Sequence, residues 1–284
     1  MINNNSGSNG KGELLRVENI SYRYDDRFLA LNNVSASFRP GEIACVLGGN
    51  GAGKSTFFLC LNGVLHPQSG KIFLKGQEIK KGKKDIFSLR QTVGLVFQDP
   101  DSQIIAGTVE SEVSFGPMNL HLPQDEVKDR VDRSLEQMNI NMYKDFAPQY
   151  LSGGEKKRVS IADILAMRPE MILFDEPTAS LDPQNTDVLE DIIRALNREG
   201  ITIVISTHDV NFAWRIADRA IVFSQGEIIA DADVDEVFSN TEVLEKAGLK
   251  KPLLCEAFEA MQGALPAEAR IKKPRTIEEF KALY

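Results

Sequence analysis

Residues 43–61, which read IACVLGGNGAGKSTFFLCL, contain the pattern that decides the fold of this chain. Residues 43–47 are a short, continuous apolar run, as expected for a strand that is buried on both faces. Residues 48–55 fit the pattern G-x-x-x-x-G-K-[ST], and residues 54–61 have the character of a helix. A strand, a glycine-rich loop and a helix in this order predict a phosphate-binding loop; a glycine-rich turn with an exposed lysine is the less favoured alternative.

The side chains of this loop suit a nucleoside triphosphate. Backbone N–H groups of the loop and the positive end of the following helix would hold the phosphates. Lys54 would reach the β and γ phosphates, and Ser55 would hold Mg²⁺. The loop therefore predicts a nucleotide with Mg²⁺; ATP follows from the family resemblance described below.

A second apolar run, residues 171–174, is followed directly by Asp175 and Glu176. An acid at the end of a buried strand can hold Mg²⁺, and the next carboxylate can polarise an attacking water. Asp175 is therefore the candidate metal ligand and Glu176 the candidate catalytic base. In isolation, two solvated acids before Pro177 would be the simpler interpretation, but the phosphate-binding loop in the same chain favours the catalytic one.

Length and composition exclude several other classes of protein. A chain of 284 residues can bury a sizeable core, as one large domain with an appendage or as two small domains. The net charge of −8 argues against nucleic acid as the main partner. Cys45, Cys60 and Cys255 have no paired spacing, which is typical of a reducing cytoplasm. No run of the sequence approaches the about 20 apolar residues that span a bilayer, so a membrane role would need a partner.

Strand and helix patterns alternate along the chain, which predicts an α/β fold with a mainly parallel sheet. Residues 220–223 and 227–230 are predicted to form a terminal hairpin. Few strand patterns occur between residues 99 and 168, so we expect a mostly helical insertion there. The other strand candidates are residues 14–20, 34–38, 70–75, 93–97, 171–174 and 201–205, and the other helix candidates are residues 125–138, 154–167 and 183–198.

Residues 48–56, 151–155 and 174–182 resemble, in this order, the Walker A, signature and Walker B to D-loop segments of the ABC transporter ATPases. The resemblance implies the P-loop NTPase fold of that family, with a mainly parallel sheet core, an N-terminal antiparallel β region and a helical subdomain at about residues 99–168. It also implies that ATP is hydrolysed to ADP and phosphate. The nucleotide contacts that it implies in the first segment are Gly48, Gly49, Asn50, Gly51, Ala52, Gly53, Lys54, Ser55 and Thr56.

The same resemblance assigns roles outside these segments. Tyr24 resembles the aromatic residue that stacks on adenine, although strand packing is an alternative for it and for Tyr22. Gln98 resembles the glutamine that contacts Mg²⁺ and links to a transmembrane partner. His208 resembles the histidine that contacts the γ-phosphate. The implied catalytic residues are Glu176, His208 and Lys54, and the implied metal ligands are Ser55, Gln98 and Asp175.

Residues 151–155, Leu-Ser-Gly-Gly-Glu, would by themselves predict only a capped helix start. In the family, Ser152, Gly153 and Gly154 contact the γ-phosphate of ATP held by a second subunit. The resemblance therefore implies two subunits, identical or paralogous, that close around two ATP molecules. Glu155 is counted among the nucleotide contacts but stands where the family more usually has glutamine. Its carboxylate suits the first turn of a helix, yet it adds negative charge near a phosphate.

Residues 97–105 and 115–120 resemble, more narrowly, the ATPases of energy-coupling factor transporters, including the cobalt and nickel uptake type. This resemblance implies a peripheral subunit at the cytoplasmic face of the cell membrane. Its partners would be an integral membrane scaffold and a substrate-binding membrane subunit, with no nucleic acid and no direct contact with the solute. Cobalt or another transition-metal ion is the favoured cargo; vitamin uptake and a soluble, non-transport ABC ATPase are the alternatives. Asp163 departs from the small residue expected at its position.

Three segments are expected along the chain. Residues 1–12, rich in Asn, Ser and Gly and without a secretory signal, predict a flexible N-terminus. Residues 13–240 would form the ATPase domain. Residues 241–284, punctuated by proline, predict a helical tail that contacts a dimer mate or another partner.

Overall fold

The structure is a computed structural model that describes residues 12–25, 28–262 and 273–283. Of the predicted flexible N-terminus, all but Gly12 therefore lies outside the described residues. The strands are β1 (Leu15–Arg23), β2 (Leu29–Phe38), β3 (Ile43–Leu47), β4 (Ser69–Leu74), β5 (Gln77–Glu78), β6 (Val93–Val96), β7 (Met171–Asp175), β8 (Thr202–Thr207), β9 (Arg219–Ser224) and β10 (Glu227–Asp233). The α-helices are α1 (Lys54–Leu61), α2 (Lys83–Thr92), α3 (Val109–Asn119), α4 (Gln124–Gln137), α5 (Gly153–Ala166), α6 (Pro183–Arg198), α7 (Val210–Ile216), α8 (Val234–Ser239), α9 (Thr241–Ala247), α10 (Leu253–Gln262) and α11 (Ile277–Lys281).

An antiparallel sheet of four strands, in the order β2-β1-β4-β5, forms the N-terminal β region. Leu15 of β1 pairs with Phe38 of β2 on one side and with Leu74 of β4 on the other. Leu15 and Val17 are buried, as the alternating pattern of the sequence predicts. Ile20 falls outside this alternation and is buried after a shift of the pairing register between Val17 and Ile20. The implied antiparallel region is therefore confirmed.

A second sheet of six strands has the order β10-β9-β3-β8-β7-β6 and is parallel except for β10. All five residues of β3 and all five of β7 are buried, which explains why these strands read as continuous apolar runs. Leu47 at the end of β3 pairs with Thr207 of β8, and Asp175 at the end of β7 pairs with Ser206. The segments that follow β3, β7 and β8 therefore meet at one edge of the sheet, where open parallel sheets bind ligands.

Helices α3, α4 and α5 pack together within the stretch for which a helical insertion was predicted. Their shared core consists of apolar residues, including Val113, Val131, Leu135 and Val159. The helix predicted at residues 125–138 is confirmed as α4, and the one predicted at residues 154–167 begins one residue earlier as α5. The domain boundaries themselves stay a prediction.

Four helices, α2, α3, α7 and α8, have no individual counterpart among the sequence expectations. Helix α2 buries only Leu89, so it has little apolar periodicity. Helix α3 contains Pro117 in its last turn, where proline normally argues against helix. Helix α7 spans only seven residues and is buried nearly throughout, which hides the period of a helix.

The C-terminal tail is helical in the part that the structure describes, as α9, α10 and α11. The Trp214 indole N–H donates to Pro274 O at 2.9 Å, and Arg275 stacks over the Trp214 ring while donating to Ala217 O at 2.6 Å. These contacts hold Pro274 and Arg275 against α7 and Ala217, the residue that follows it. None of the helices in the described ranges has the length and apolar character needed to cross a bilayer.

Candidate active site

The phosphate-binding loop connects β3 to α1 through glycines that no other residue can replace without strain. Gly48 has φ 150°, and a Cβ there would lie 2.5 Å from Phe223 O. Gly53 has φ 107°, and its Cβ would lie 2.6 Å from Ala30 O. No side chain caps the start of α1, so its first N–H groups remain available to an anion.

Lys54 is held under this loop rather than extended into solvent. Its side chain is 6% exposed, and its ammonium donates to Gly48 O at 2.8 Å and to Gly49 O at 3.2 Å. The same nitrogen lies 3.3 Å from Glu176 Oε1. A fixed ammonium therefore stands at the phosphate-binding loop, beside a carboxylate.

Glu176 is fixed by bonds to both its backbone and its carboxylate. Its N–H donates to the Ser206 carbonyl and to the Ser206 hydroxyl oxygen, each at 3.0 Å. Its φ of 42° lies in the left-handed region, which costs about 1–3 kcal/mol for a residue other than glycine. One carboxylate oxygen faces Lys54, and the other lies 2.9 Å from His208 Nδ1. The side chain predicted to be the base is thus bracketed by the two other predicted catalytic residues.

A cavity of about 190 Å³ lies over the loop. It brings together the loop, Ser55, Gln98 and Glu176, which the sequence places far apart. Phe28 also lines this cavity and is exposed; nothing in the sequence pattern singled it out. The complete lining is Phe28, Ala30, Asn50, Gly51, Ala52, Gly53, Lys54, Ser55, Thr56, Gln98 and Glu176.

Tyr24 lies at the edge of the loop helix. Its hydroxyl is 3.1 Å from Thr56 Oγ1, and the residue is 54% exposed, so its ring face can receive a base. Tyr22 meets it edge to face, with ring centroids 5.0 Å apart, and packs against the core of the antiparallel sheet. Tyr22 is therefore a packing residue, and the stacking role of Tyr24 stays a prediction.

The candidate metal ligands fit Mg²⁺ by their chemistry. Ser55 and Gln98 line the same cavity, and Asp175 directly precedes Glu176. The Ser206 hydroxyl donates to Asp175 Oδ1, which orients that carboxylate. Hydroxyl, amide and carboxylate oxygens are the ligands that Mg²⁺ takes together with substrate phosphates. Among the described residues no group of three or more His, Cys, Asp or Glu could hold a metal, so a cage built from such side chains alone is absent there.

The signature segment begins α5 with a capping box. The Ser152 N–H and hydroxyl each donate to Glu155 Oε2 at 2.7 Å, while the Glu155 N–H donates to the Ser152 hydroxyl oxygen at 3.4 Å. A hydrogen bond from the Tyr143 hydroxyl, followed by those from Ser152, holds the pKa of Glu155 below its usual value. Tyr143 was not found by sequence reasoning because it lies in a short helical turn without a motif.

The structure thus brings most, but not all, of the predicted site residues together. Lys54, Ser55, Gln98 and Glu176 share one cavity, and His208 joins them through Glu176. Ser152, Gly153, Gly154 and Glu155 are absent from the lining of that cavity.

The glycine-rich loop follows a buried parallel strand and holds a buried lysine. At the same edge of the sheet, the Glu176 carboxylate lies between this lysine and His208. Together these features define a P-loop nucleotide hydrolase. The ABC transporter family profile matches residues 31–179. The chain therefore belongs to the ATP-binding proteins of the ABC transporter family, and it is an ATPase.

Comparisons with individual proteins agree with this assignment. The chain is 44% identical over 251 residues to the energy-coupling factor transporter ATP-binding protein EcfA of Methanothermobacter thermautotrophicus, covering 88% of this chain and 81% of the relative. It is 44% identical over 248 residues to EcfA of Methanocaldococcus jannaschii, covering 87% and 89%. The structure of cbiO1 from Clostridium perfringens, part of the ABC transporter complex cbiONQ, matches with a TM-score of 0.75 and 39% identity over 88% of this chain and 99% of that chain. The resemblance to energy-coupling factor ATPases and the P-loop NTPase fold are confirmed.

Proposed function

We propose that this chain is the ATP-hydrolysing subunit of an energy-coupling factor importer, with cobalt or another transition-metal ion as the cargo of the complex. The observation that carries the catalytic part is the placement of Glu176 between Lys54 and His208 at the phosphate-binding loop. The relatives named EcfA support the transporter type, and the likeness to cbiO1 supports a place in an ABC transporter complex. The cargo rests on the resemblance of residues 97–105 and 115–120 to the cobalt and nickel uptake type.

The reaction is the attack of water on the γ-phosphate of ATP. Glu176 orients the water and accepts its proton, because its carboxylate is fixed and lies at the cavity. Lys54 neutralises charge that develops on the phosphate oxygens, and His208 holds Glu176 while facing the same phosphate. Mg²⁺, when bound through Ser55, Gln98 and Asp175, supplies further positive charge to the β and γ phosphates. Tyr24 stacks on adenine at the edge of the site.

The site is completed by a second subunit. Ser152 caps a helix of fourteen residues whose first N–H groups, at Gly153 and Gly154, would face an anion, yet these three residues lie outside the cavity of their own chain. A second copy or a paralogue would present the same segment to the nucleotide held here. A structure titled as a dimeric, post-hydrolysis state of the cassette MJ0796 with ADP and Pi matches this chain with a TM-score of 0.69 and 27% identity, over 78% of this chain and 98% of that one, which supports such a pairing.

A membrane partner would dock on the helical insertion. Ile105, Phe115 and Met118 are exposed apolar residues within or beside the segments that resemble energy-coupling factor ATPases. Exposed apolar residues grouped in one segment are typical of a protein interface. The chain would then work at the cytoplasmic face of the membrane without touching the solute.

Purification from native membranes tests this proposal. We expect the tagged chain, extracted in mild detergent, to bring down integral membrane proteins and the complex to take up radioactive Co²⁺ when reconstituted with ATP. Phe115→Asp should abolish the association because a buried, unpaired carboxylate is costly at an interface. Phe87→Asp, which alters an exposed apolar residue of α2 outside both the insertion and the C-terminal tail, should not. A chain that recruits no integral protein, with an ATPase indifferent to membranes, would remove the transport function.

Glu155→Gln is expected to lower the ATP concentration needed for pairing of two subunits by about 3- to 10-fold, equivalent to about 1 kcal/mol. The Ser152 hydroxyl donates its proton to the Glu155 carboxylate, so a γ-phosphate must compete with that carboxylate for the same proton. Glutamine keeps an acceptor for Ser152 but removes the charge.

The measurement is an ATP titration of dimer formation by analytical ultracentrifugation, on a Glu176→Gln background that prevents hydrolysis. Glu136→Gln removes an exposed acid from α4 and serves as the control. An unchanged or higher ATP requirement in Glu155→Gln would contradict the competition between carboxylate and phosphate.

A further inference from the structure

The loop that carries Gln98 is bonded to the signature helix α5 by a buried lysine. The Lys157 ammonium donates to Phe97 O at 2.9 Å and to Gln98 O at 2.7 Å. Lys157 lies in the second turn of α5, and Gln98 faces the nucleotide cavity. One side chain therefore joins the two segments directly.

Lys157 is 2% exposed, which is unusual for an ammonium group. Burial lowers the pKa of Lys157 to about 8, with smaller, opposing effects from Asp99 and Asp175. A buried charge is costly unless it is bonded, and an apolar side chain of similar length would fill the same volume without that cost. The two carbonyl bonds are thus the specific contribution of a lysine here.

Gln103 forms a second link between the same segments. Its amide oxygen accepts from the Phe97 N–H at 3.2 Å, and its amide nitrogen donates to Ser160 O at 3.0 Å and to Asp163 Oδ2 at 3.3 Å. Asp163, which departs from the small residue expected from the sequence, adds a second acceptor on α5 for this nitrogen. Burial raises the pKa of Asp163 to about 7.

Together these bonds leave the start of the loop little freedom relative to α5. The Phe97 N–H donates to Gln103, which in turn donates to α5. The carbonyls of Phe97 and Gln98 both accept from Lys157 of α5. Lys157 stands five residues after Ser152, which is about 7.5 Å along the helix axis. A displacement of Gln98 is therefore passed to the helix start, since a helix moves as a rigid element.

We propose that Lys157 and Gln103 are positioning residues that lock Gln98 to α5, so that nucleotide in the cavity of one chain sets how that chain presents Ser152 to Gly154 to its mate. This lock deepens the proposed function. It rests on that function in one respect: the signature segment must contact the nucleotide of a second subunit. The bonds of the lock are internal to one chain, so they can be tested without pairing.

Hydrogen exchange in dilute, monomeric Glu176→Gln protein tests the lock. We expect ATP with Mg²⁺ to change the exchange of residues 151–156, although the nucleotide lies in the cavity of the same chain. Lys157→Met and Gln103→Leu should reduce this change at least about threefold while ATP affinity stays within about twofold, because neither residue lines the cavity. Lys157→Gln, which can still donate to one carbonyl, should fall between.

Lys128→Met is the control. Lys128 is an exposed lysine of α4 in the same helical insertion, and it lies outside both α5 and the loop that carries Gln98. Thermal unfolding of each variant shows whether the fold is retained. In the double variant Lys157→Met, Gln103→Leu, the exchange response should be about as small as in the weaker-responding single variant, because either substitution alone disconnects Gln98 from α5.

Three results would contradict the lock. The first is an exchange response that persists in both Lys157→Met and Gln103→Leu, the second is an equal loss of the response in Lys128→Met, and the third is its absence from the Glu176→Gln parent. Failure of the proposed function is recognised separately, by ultracentrifugation at high protein concentration. A parent that shows the exchange response but never pairs with ATP would remove the shared site and retain the lock.

Discussion

Glu176→Gln is expected to lower the rate of ATP hydrolysis by about 100- to 10,000-fold, the range for loss of a positioned general base. Glutamine occupies the same space between Lys54 and His208 but cannot accept a proton from water. ATP should still bind, because the phosphate-binding loop is untouched. The variant should therefore accumulate as a closed pair of subunits with ATP trapped between them.

Steady-state phosphate release and size-exclusion chromatography with ATP and Mg²⁺ check both parts of this expectation. Glu170→Gln is the control, since Glu170 is an exposed acid near the start of the same strand and pairs with Lys75 at 2.7 Å. Undiminished hydrolysis in Glu176→Gln would remove Glu176 from the catalytic role.

Lys54→Met should weaken ATP binding by about 10- to 100-fold, as expected for the loss of charge-assisted bonds worth about 1.5–3 kcal/mol. It should also reduce hydrolysis at saturating ATP by about 100- to 1,000-fold, since the developing charge loses a fixed cation. Without nucleotide, the variant leaves the buried Glu176 carboxylate beside methionine, so we expect the free energy of unfolding to fall by about 1–3 kcal/mol.

Isothermal titration calorimetry, phosphate release and denaturant unfolding measure these three quantities. Lys75→Met removes an exposed lysine from a surface ion pair and should change none of them appreciably. The double variant Lys54→Met, Glu176→Gln should regain stability relative to Lys54→Met, because the uncompensated buried charge is gone. Intact ATP affinity in Lys54→Met would show that this lysine does not contact the phosphates.

The local patterns of the sequence carry much of the fold. Strand β3 and helix α1 have the predicted bounds because a buried strand and a glycine loop each leave a distinct local signal. Helix α6 also has its predicted bounds, since Asp182 caps it and Pro183 occupies its first position. Such signals depend only on neighbours in the chain, so they can be read without the structure.

The contacts that hold the site together are of another kind. Lys157 and Gln98 are 59 residues apart in the sequence, and His208 and Glu176 are 32 apart. No local pattern reports that a lysine will be buried under a loop from a distant strand. The motifs therefore give the candidate site residues, whereas the partners of those residues, Tyr143 among them, emerge only from the packing of α5 and the sheet edge.

The backbone at Glu176 shows how activity opposes stability in this protein. Its left-handed φ persists because Ser206 binds its N–H twice, and its carboxylate stays buried because Lys54 stands beside it. A glycine would adopt this backbone with less strain and would bring no charge into the interior. Selection for stability alone would therefore erode this position, so any thermostabilised version of the protein obtained without an activity screen would tend to lose its motor function first.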